Sequence, residues 1–114
     1  MDRILHQLGI TANYVGYRYT QYAVKLVLED QAYLTMVTKL LYPTVAAHFL
    51  GTAGAVERNL RQAANLAWRS NPKLLERMAG HPLEKRPSVS SFIAILSVHC
   101  RTVHRVSEGA AKQM

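Results

Sequence analysis

The sequence predicts an all-α fold, a compact bundle of about six helices that contains a helix-turn-helix. Apolar residues recur at intervals of three and four along most of the chain, which is the spacing of one helix face. Alternating apolar and polar runs separated by Asn-Gly or Asp-Gly turns, which indicate strands, do not occur. Because the chain has 114 residues, of which 49% are apolar, we expect residues 1–114 to form a single domain around one core.

The first half of the chain predicts three helical segments. A short helix over residues 3–8 should end at Gly9, because glycine adopts the left-handed conformation that closes many helices. Residues 17–28 predict a second helix with a broad apolar stripe. The same period continues over residues 34–42, and Pro43 then predicts a break and the first turn of a new helix.

A helix-turn-helix is predicted in the middle of the chain. Ala47 is small enough to let two helices approach, and Gly51 permits a sharp reversal of the chain. Thr52 can cap the amide groups that open the second helix of the motif, residues 53–69.

Two further helices are expected near the end of the chain. One covers residues 72–79, and the other runs from Ser90 or Ser91 to about residue 106, with a loop over residues 80–90 between them. The face that the last helix should turn to the core consists of Phe92, Ile95, Leu96, His99 and Val103.

The helix over residues 53–69 has an apolar and a polar side. The apolar side, which we expect to be buried, consists of Val56, Leu60, Ala63, Ala64 and Ala67. The polar side spans an arc of roughly 100° and consists of Arg58, Arg61, Gln62, Asn65 and Arg69, with Glu57 at its flank. Such side chains read base edges in the major groove: Arg pairs with guanine, Gln or Asn with adenine, and Glu with cytosine.

The start of the same helix also fits a nucleic-acid ligand. Small residues at positions 53–55 would let the helix N-terminus approach a phosphate, which its free amides and positive dipole end attract, and Thr52 could add a hydroxyl contact. The pattern equally fits a solvated surface helix in which Glu57 and Arg61 form an ion pair one turn apart.

The charge balance favours a polyanionic partner. Fourteen Lys and Arg residues against seven Asp and Glu residues give a net charge of +7, which suits nucleic acid, an anionic membrane surface or an acidic protein. The excess is uneven, since residues 53–114 contain ten basic and four acidic side chains and therefore carry +6 of the total. Lys85 and Arg86, beside Pro87, could contact a phosphate or be solvated loop charges.

Catalytic, metal and cofactor sites are not expected. His99, Cys100 and His104 resemble a ligand cluster, but only Cys100 and His104 share a helix face, and two ligands do not close a zinc site. A glycine-rich phosphate loop is missing from the sequence. The six tyrosines and Trp68 are better explained by core packing than by stacking on single-stranded bases.

The sequence predicts neither secretion nor a membrane span. Its start lacks the layout of a signal peptide, and no run of about 18 apolar residues without charge occurs. The single cysteine, Cys100, excludes an internal disulfide. We therefore expect a cytoplasmic protein. No membrane partner is expected either, because the helix-turn-helix and the polar arc of residues 53–69 favour nucleic acid over a membrane surface.

Four collinear segments carry a resemblance to a known family. They are ILHQLGITANYVGYRY, VTKLLYPTVAAHF, TAGAVERNLRQAANLAW and RPSVSSFIAILS. With them the chain resembles the C-terminal DNA-binding effector domain of stage 0 sporulation protein A, a sporulation response regulator. The resemblance implies an all-helical domain that binds short boxes of double-stranded DNA, as dimeric or tandem units, and regulates transcription at the onset of sporulation.

The resemblance also implies roles for individual residues. Glu57, Arg58 and Arg61 keep the family residue types of the helix that contacts bases and phosphates, and Gln62 stands where the family has His. Gly54 and Ala55 replace a Ser-Arg pair of the family. A region corresponding to residues 72–81 is implicated in contacting the sigma subunit of RNA polymerase.

Two functions follow from these observations. The first is a sequence-specific regulator of transcription that lacks the receiver domain usual in the family and binds double-stranded DNA through Thr52, Glu57, Arg58, Arg61, Gln62 and Asn65. The second is a protein-interaction module of the same fold that has lost the ability to recognise DNA bases. The replacement of the family's Ser-Arg pair by Gly54 and Ala55 is the reason for considering it.

Overall fold

The chain folds into helices connected by short turns. The computed structural model describes the backbone of residues 1–113 and the side chains of residues 1–102. Within residues 1–113 it contains seven α-helices, one π-helical segment and no strand, which confirms the all-α prediction. The helices are α1 (Asp2–Gln7), α2 (Val15–Glu29), α3 (Ala32–Thr35), α4 (Tyr42–Phe49), α5 (Ala53–Ser70), α6 (Pro72–Ala79) and α7 (Val89–Gln113), and the π-helix is Val37–Leu41.

Helix α5 lies at the centre of the bundle. It packs against α2, α4, α6 and α7, and α2 also packs against α7. The core between these helices consists of large apolar side chains with no exposed surface, among them Val24, Val27, Leu60, Leu75, Phe92, Ile93 and Leu96. Since α5 contacts four neighbours through one side, its position is fixed while its opposite side stays at the surface.

Helix α1 is attached to the ends of α2 and α5. The hydroxyl of Tyr17 donates to the Asp2 carboxylate at 2.6 Å. Gly9 has a φ of +85°, as predicted, and a Cβ at this position would lie 2.6 Å from Cβ of Ser70. The turn after α1 therefore requires glycine for two reasons, a left-handed backbone and a close approach to the end of α5.

The prediction of one continuous helix over residues 34–42 is wrong. Met36 leaves the helical region, with φ −130° and ψ 57°, and the π-helix follows, in which the amide of Leu41 bonds to the carbonyl of Met36 at 3.2 Å. The wider π turn admits an extra residue, so that Leu41 and Tyr42 are both buried ahead of Val45. Pro43 lies in the first turn of α4, as predicted, but the predicted break near it does not occur, because Leu41 and Tyr42 both have helical backbones and the π-helix continues directly into α4.

Helices α6 and α7 begin at side-chain caps. Asn71 accepts from the amide of Leu74 at 3.3 Å, and Gly80 ends α6 with a φ of +82°, so the predicted helix over residues 72–79 is confirmed. The hydroxyl of Ser88 accepts from the amide of Ser91 at 3.2 Å at the start of α7.

Helix α7 differs from its prediction in length and in its buried face. It continues to Gln113 rather than to about residue 106. The residues that it buries are Phe92, Ile93, Leu96 and Ser97, whereas Ile95 and His99 are half-buried. The side chain of Val103, the last of the predicted face, lies outside the described residues. In the part of the chain that the structure covers, no helix is both long and apolar enough to traverse a bilayer.

Candidate nucleic-acid interface

Helices α4 and α5 form the predicted helix-turn-helix, but the reversal occurs one residue early. Leu50, not Gly51, adopts the left-handed conformation, with φ 57° and ψ 37°. The amide of Gly51 then bonds to the carbonyl of Ala46 at 2.8 Å and closes the end of α4. The small buried residue of α4 is Ala46, while Ala47 is exposed. The reversal lies at Leu50 because α4 ends at Phe49.

Helix α5 begins at a side-chain cap. Thr52 has an extended backbone, and its hydroxyl oxygen accepts from the amide of Ala55 at 3.1 Å, which confirms the predicted cap. A Cβ at Gly54 would meet no atom within 4 Å. The first turn of α5 is therefore accessible to a ligand from the side of Gly54.

The apolar side of α5 is buried as predicted. Its buried residues are Val56, Leu60, Ala63, Ala64 and Ala67, which are the five residues that helical projection selects. Three of them are alanines, so that neighbouring helices approach α5 closely along this side.

Close approach is also evident where α2 crosses α5. Gly16 is buried, and a Cβ at this position would lie 2.9 Å from the backbone oxygen of Asn59. A side chain at Gly16 would therefore separate the two helices.

The two arginines at the centre of the polar side differ in their surroundings. Arg58 is exposed and makes no hydrogen bond or ion pair within the described part of the chain. Arg61 forms an ion pair with Glu57 one turn away, and the two side chains remain 46% and 35% exposed. The expected Glu57–Arg61 pair is thus present, and both guanidinium groups face outward from the bundle.

Gln62 is held by a residue of the loop before α2. The hydroxyl of Tyr14 donates to Oε1 of Gln62 at 3.0 Å and lies 3.4 Å from the backbone oxygen of Asn59. Tyr14 is half-buried, and desolvation raises the pKa of its phenol. The sequence favours core packing for Tyr14. It lies 48 positions from Gln62 along the chain, and no local pattern indicates their contact.

Asn65 contacts the basic loop between α6 and α7. The guanidinium of Arg86 donates to Oδ1 of Asn65, across 21 residues of sequence. The loop thus brings a fourth arginine to the side of α5 that carries Arg58, Arg61 and Arg69. The Lys85-Arg86 pair beside Pro87 is the feature of the sequence that indicates this loop, although the sequence does not decide between a phosphate contact and solvated charges.

A cleft of about 360 Å³ lies between α5 and this loop. Glu57 and Arg61 of α5 line one wall, and Arg86 and Ser88 line the other. Tyr42 also borders the cleft. Burial raises the pKa of its hydroxyl, and the negative charge of the nearby Glu57 carboxylate raises it to a smaller extent. The polar side of α5 is therefore one element of a surface built from three segments, namely α5, the loop after Gly80 and the loop before α2.

The histidines with described contacts have structural partners. The ring of His6 bonds to the carbonyl of Asp2 at 2.9 Å, and that of His81 to the carbonyl of Pro82 at 3.0 Å. His48 stacks on Tyr22 with ring centroids 3.9 Å apart. Among the described residues no group of three potential ligands has the spacing of a metal site.

Cys100 is half-buried, and desolvation raises the pKa of its thiol. This is opposite to the change that would activate a nucleophile. The side chain of His104, which shares a helix face with Cys100 in the sequence pattern, lies outside the described residues.

The aromatic residues pack as predicted. Tyr17 and Tyr42 are buried, and Tyr19, Tyr22, Tyr33 and Trp68 lie half-buried against the core. Tyr19 and Tyr22 both contact the ring of Phe49 at the end of α4. Tyr19 and Tyr22 thus pack α2 against the end of α4 in the helix-turn-helix.

Comparison with known families agrees with this geometry. The model of a family described as "Sporulation initiation factor Spo0A C terminal" matches residues 1–100. The match includes α1 to α6, the whole helix-turn-helix and the start of α7. This family consists of DNA-binding regulatory domains and is not a class of enzymes. The chain therefore belongs to the Spo0A C-terminal family, the DNA-binding effector domains of sporulation response regulators.

Proposed function

We propose that residues 1–114 act as a single effector domain that recognises specific double-stranded DNA sequences and regulates transcription at the initiation of sporulation. One observation carries the proposal: α5 is fixed in the bundle by its apolar side while Arg58, Arg61 and Gln62 are exposed on its other side. An α-helix fits the major groove, and these side-chain types are the ones that recognise base edges there.

Each residue has a proposed role. Arg58 and Arg61 contact guanine edges or phosphates, and Glu57, Gln62 and Asn65 influence the choice of base. Thr52 and the first turn of α5 contact a backbone phosphate, because helix N-termini attract anions and Gly54 leaves space there. Arg86 contacts a flanking phosphate, since it reaches the same surface from the neighbouring loop.

The proposed partners beyond DNA are of two kinds. A second copy of the domain would occupy an adjacent box, as the family resemblance implies. The sigma subunit of RNA polymerase would bind at α6, where Lys73, Glu76 and Arg77 border a surface cleft of about 640 Å³. No cofactor enters the proposal.

The direct experiment is selection of bound duplexes from a random pool, followed by titration of the domain against the selected duplex and a scrambled one. Specific regulators bind their sites about 10³-fold or more tightly than random DNA. We expect enrichment of a short box and a clear difference between the two duplexes. A pool that yields no common sequence would reject sequence-specific binding.

The second candidate function, a protein-interaction module, is favoured by the contacts within the polar face. Arg61, Gln62 and Asn65 are all engaged by other side chains, namely Glu57, Tyr14 and Arg86. A face that is already satisfied internally suits a protein partner that does not read bases. Affinity for a protein with an apolar interface responds weakly to salt, whereas affinity for DNA falls steeply.

A further inference from the structure

Two amide side chains on the polar face of α5 are oriented by residues outside α5. Oε1 of Gln62 accepts from the hydroxyl of Tyr14 at 3.0 Å, and Oδ1 of Asn65 accepts from the guanidinium of Arg86. A guanidinium has only donors, so the atom of Asn65 that faces it is the carbonyl oxygen. In both residues the oxygen end of the amide is turned toward another part of the protein.

Tyr14 is itself fixed in place. Its ring packs against Gly16, where a Cβ would collide with it, and its hydroxyl lies near the backbone of α5 at Asn59. A tyrosine hydroxyl is protonated at neutral pH, and burial raises the pKa of the Tyr14 phenol further, so the O–H group can donate a hydrogen bond to Gln62. A rigid ring with a fixed donor limits the rotation of the amide it contacts.

The orientation of an amide decides which base it can recognise. An amide that pairs with adenine in the bidentate manner uses both of its ends: the oxygen accepts from N6, and the NH₂ group donates to N7. When the oxygen end is engaged by a protein donor, the NH₂ group is the end that points away from that donor. Such an amide recognises acceptors. Guanine offers two of them, O6 and N7, and thymine offers O4, whereas adenine offers only N7, beside an N6 donor that opposes the NH₂ group.

We infer that Tyr14 and Arg86 are positioning residues that make Gln62 and Asn65 hydrogen-bond donors toward DNA, so that the base pairs facing these two residues favour guanine or thymine over adenine. The inference rests on the proposed function and departs from the adenine preference that the residue types alone suggest. It assigns specificity to two residues that lie outside the helix-turn-helix.

The test measures base preference and not affinity alone. The duplex selected from a random pool is substituted at one base pair at a time, and relative affinities are measured for the wild type, Gln62→Ala, Tyr14→Phe and the double variant. Tyr14→Phe removes the hydroxyl and keeps the ring. Tyr33→Phe, a half-buried tyrosine of α3, serves as the matched control.

The expected result is specific to one position. Gln62→Ala identifies the base pair that Gln62 recognises, because this variant no longer discriminates between bases at that position. At that base pair the wild type prefers guanine or thymine to adenine. Tyr14→Phe reduces that preference about fivefold, the worth of one neutral hydrogen bond, and has no further effect in the Gln62→Ala background. Unchanged base preferences in Tyr14→Phe, or the same change with and without Gln62, would overturn the inference for Tyr14.

Arg86 and Asn65 give a second, independent cycle. Arg86→Ala should weaken all duplexes through its lost phosphate contact and should in addition alter the preference at the base pair that depends on Asn65. This additional alteration should vanish in Asn65→Ala. Weakening of all duplexes alike in both backgrounds would leave Arg86 a phosphate contact and overturn its positioning role. A wild type that selects no sequence would instead reject the proposed function, so the two failures are distinguishable.

Discussion

The exposed arginines of α5 differ in how much they are engaged before any ligand arrives. Arg61 contacts the Glu57 carboxylate, whereas Arg58 has no polar partner in the described structure. A surface ion pair contributes about 0–1 kcal/mol to stability, so Arg61 can exchange Glu57 for a base edge at small cost. Arg58 requires no exchange, and its substitution is therefore the cleaner probe of binding.

Arg58→Ala is expected to weaken binding to the selected duplex by about 1–3 kcal/mol if the guanidinium contacts a base. Because the side chain is exposed, the free energy of unfolding should change by no more than about 0.5 kcal/mol. Fluorescence anisotropy and thermal unfolding measure the two quantities. Arg3→Ala, which removes an exposed arginine of α1, is the control, and equal affinity in all three proteins would refute the assignment.

Leu50→Gly is expected to stabilise the protein by about 0.5–1 kcal/mol. A left-handed conformation costs a residue with a side chain roughly 1–2 kcal/mol, which glycine avoids, and the greater freedom of glycine in the unfolded chain offsets part of the gain. Leu50 is 95% exposed, so that little burial is lost. Thermal unfolding gives the answer, and a lower melting temperature would contradict it. Gly51 has ordinary backbone geometry, and a Cβ there would lie 3.4 Å from the Tyr19 hydroxyl. Gly51→Ala should therefore change the melting temperature little.

Residue contacts that cross the sequence could not be predicted. The pattern identified Gln62 and Asn65 because both fall on the polar arc of one helix. It could not identify Tyr14 or Arg86 as their partners, because those contacts depend on how the loops before α2 and α7 lie against α5. The left-handed conformation of Leu50 could not be predicted for a similar reason. It depends on where α4 ends, and the next residue is a glycine, which is the residue type that the sequence favours for this conformation.

Among the elements, α5 was the most predictable because its apolar side is regular over 18 residues. Helix period and the Thr52 cap were sufficient to give both its start and its buried face. The break at Met36 and the π-helix after it were not predictable, because no glycine or proline marks them. Packing of Leu41 and Tyr42 into the core determines that distortion, and periodicity alone does not show it.

Gly16→Ala and Gly54→Ala should have opposite effects on stability. A Cβ at Gly16 would lie 2.9 Å from the backbone oxygen of Asn59, so α2 must move from α5 at a cost of about 1–3 kcal/mol. A Cβ at Gly54 meets open space, and alanine favours the helix by up to about 1 kcal/mol. Denaturant unfolding of both variants measures the difference. A Gly16→Ala protein as stable as Gly54→Ala would show that the two helices are not in close contact.

For the whole molecule, the distribution of charge predicts how binding responds to salt. Residues 53–114 carry +6 of the net +7, and Arg86 of the last loop joins the arginines of α5 on one surface. Logarithmic affinity for a duplex should therefore fall linearly with the logarithm of salt concentration, by about 0.9 for each phosphate neutralised. Titrations of selected and scrambled duplexes at several salt concentrations provide the slope. A flat response would favour the protein-interaction module.

The stability of the whole domain should decline at alkaline pH. Burial raises the pKa of Cys100 above its ordinary 9.0 and those of Tyr14 and Tyr42 above 10.0. The folded state then retains protons that the unfolded state releases, so stability is fully present below the unfolded values and is lost as pH rises through the folded ones. Melting temperatures between pH 7 and 11 would show the decline beginning at about pH 9. A domain that gains stability over this range would contradict the burial of these groups.

The position of Trp68 gives α5 an intrinsic optical signal. The chain contains one tryptophan, and that residue lies half-buried in the second half of α5, against the core. Selective excitation of its indole therefore reports on this helix without an attached dye. Changes in the emission wavelength or quenching can follow the insertion of α5 into a duplex, and the loosening of the bundle around it, in the unmodified protein.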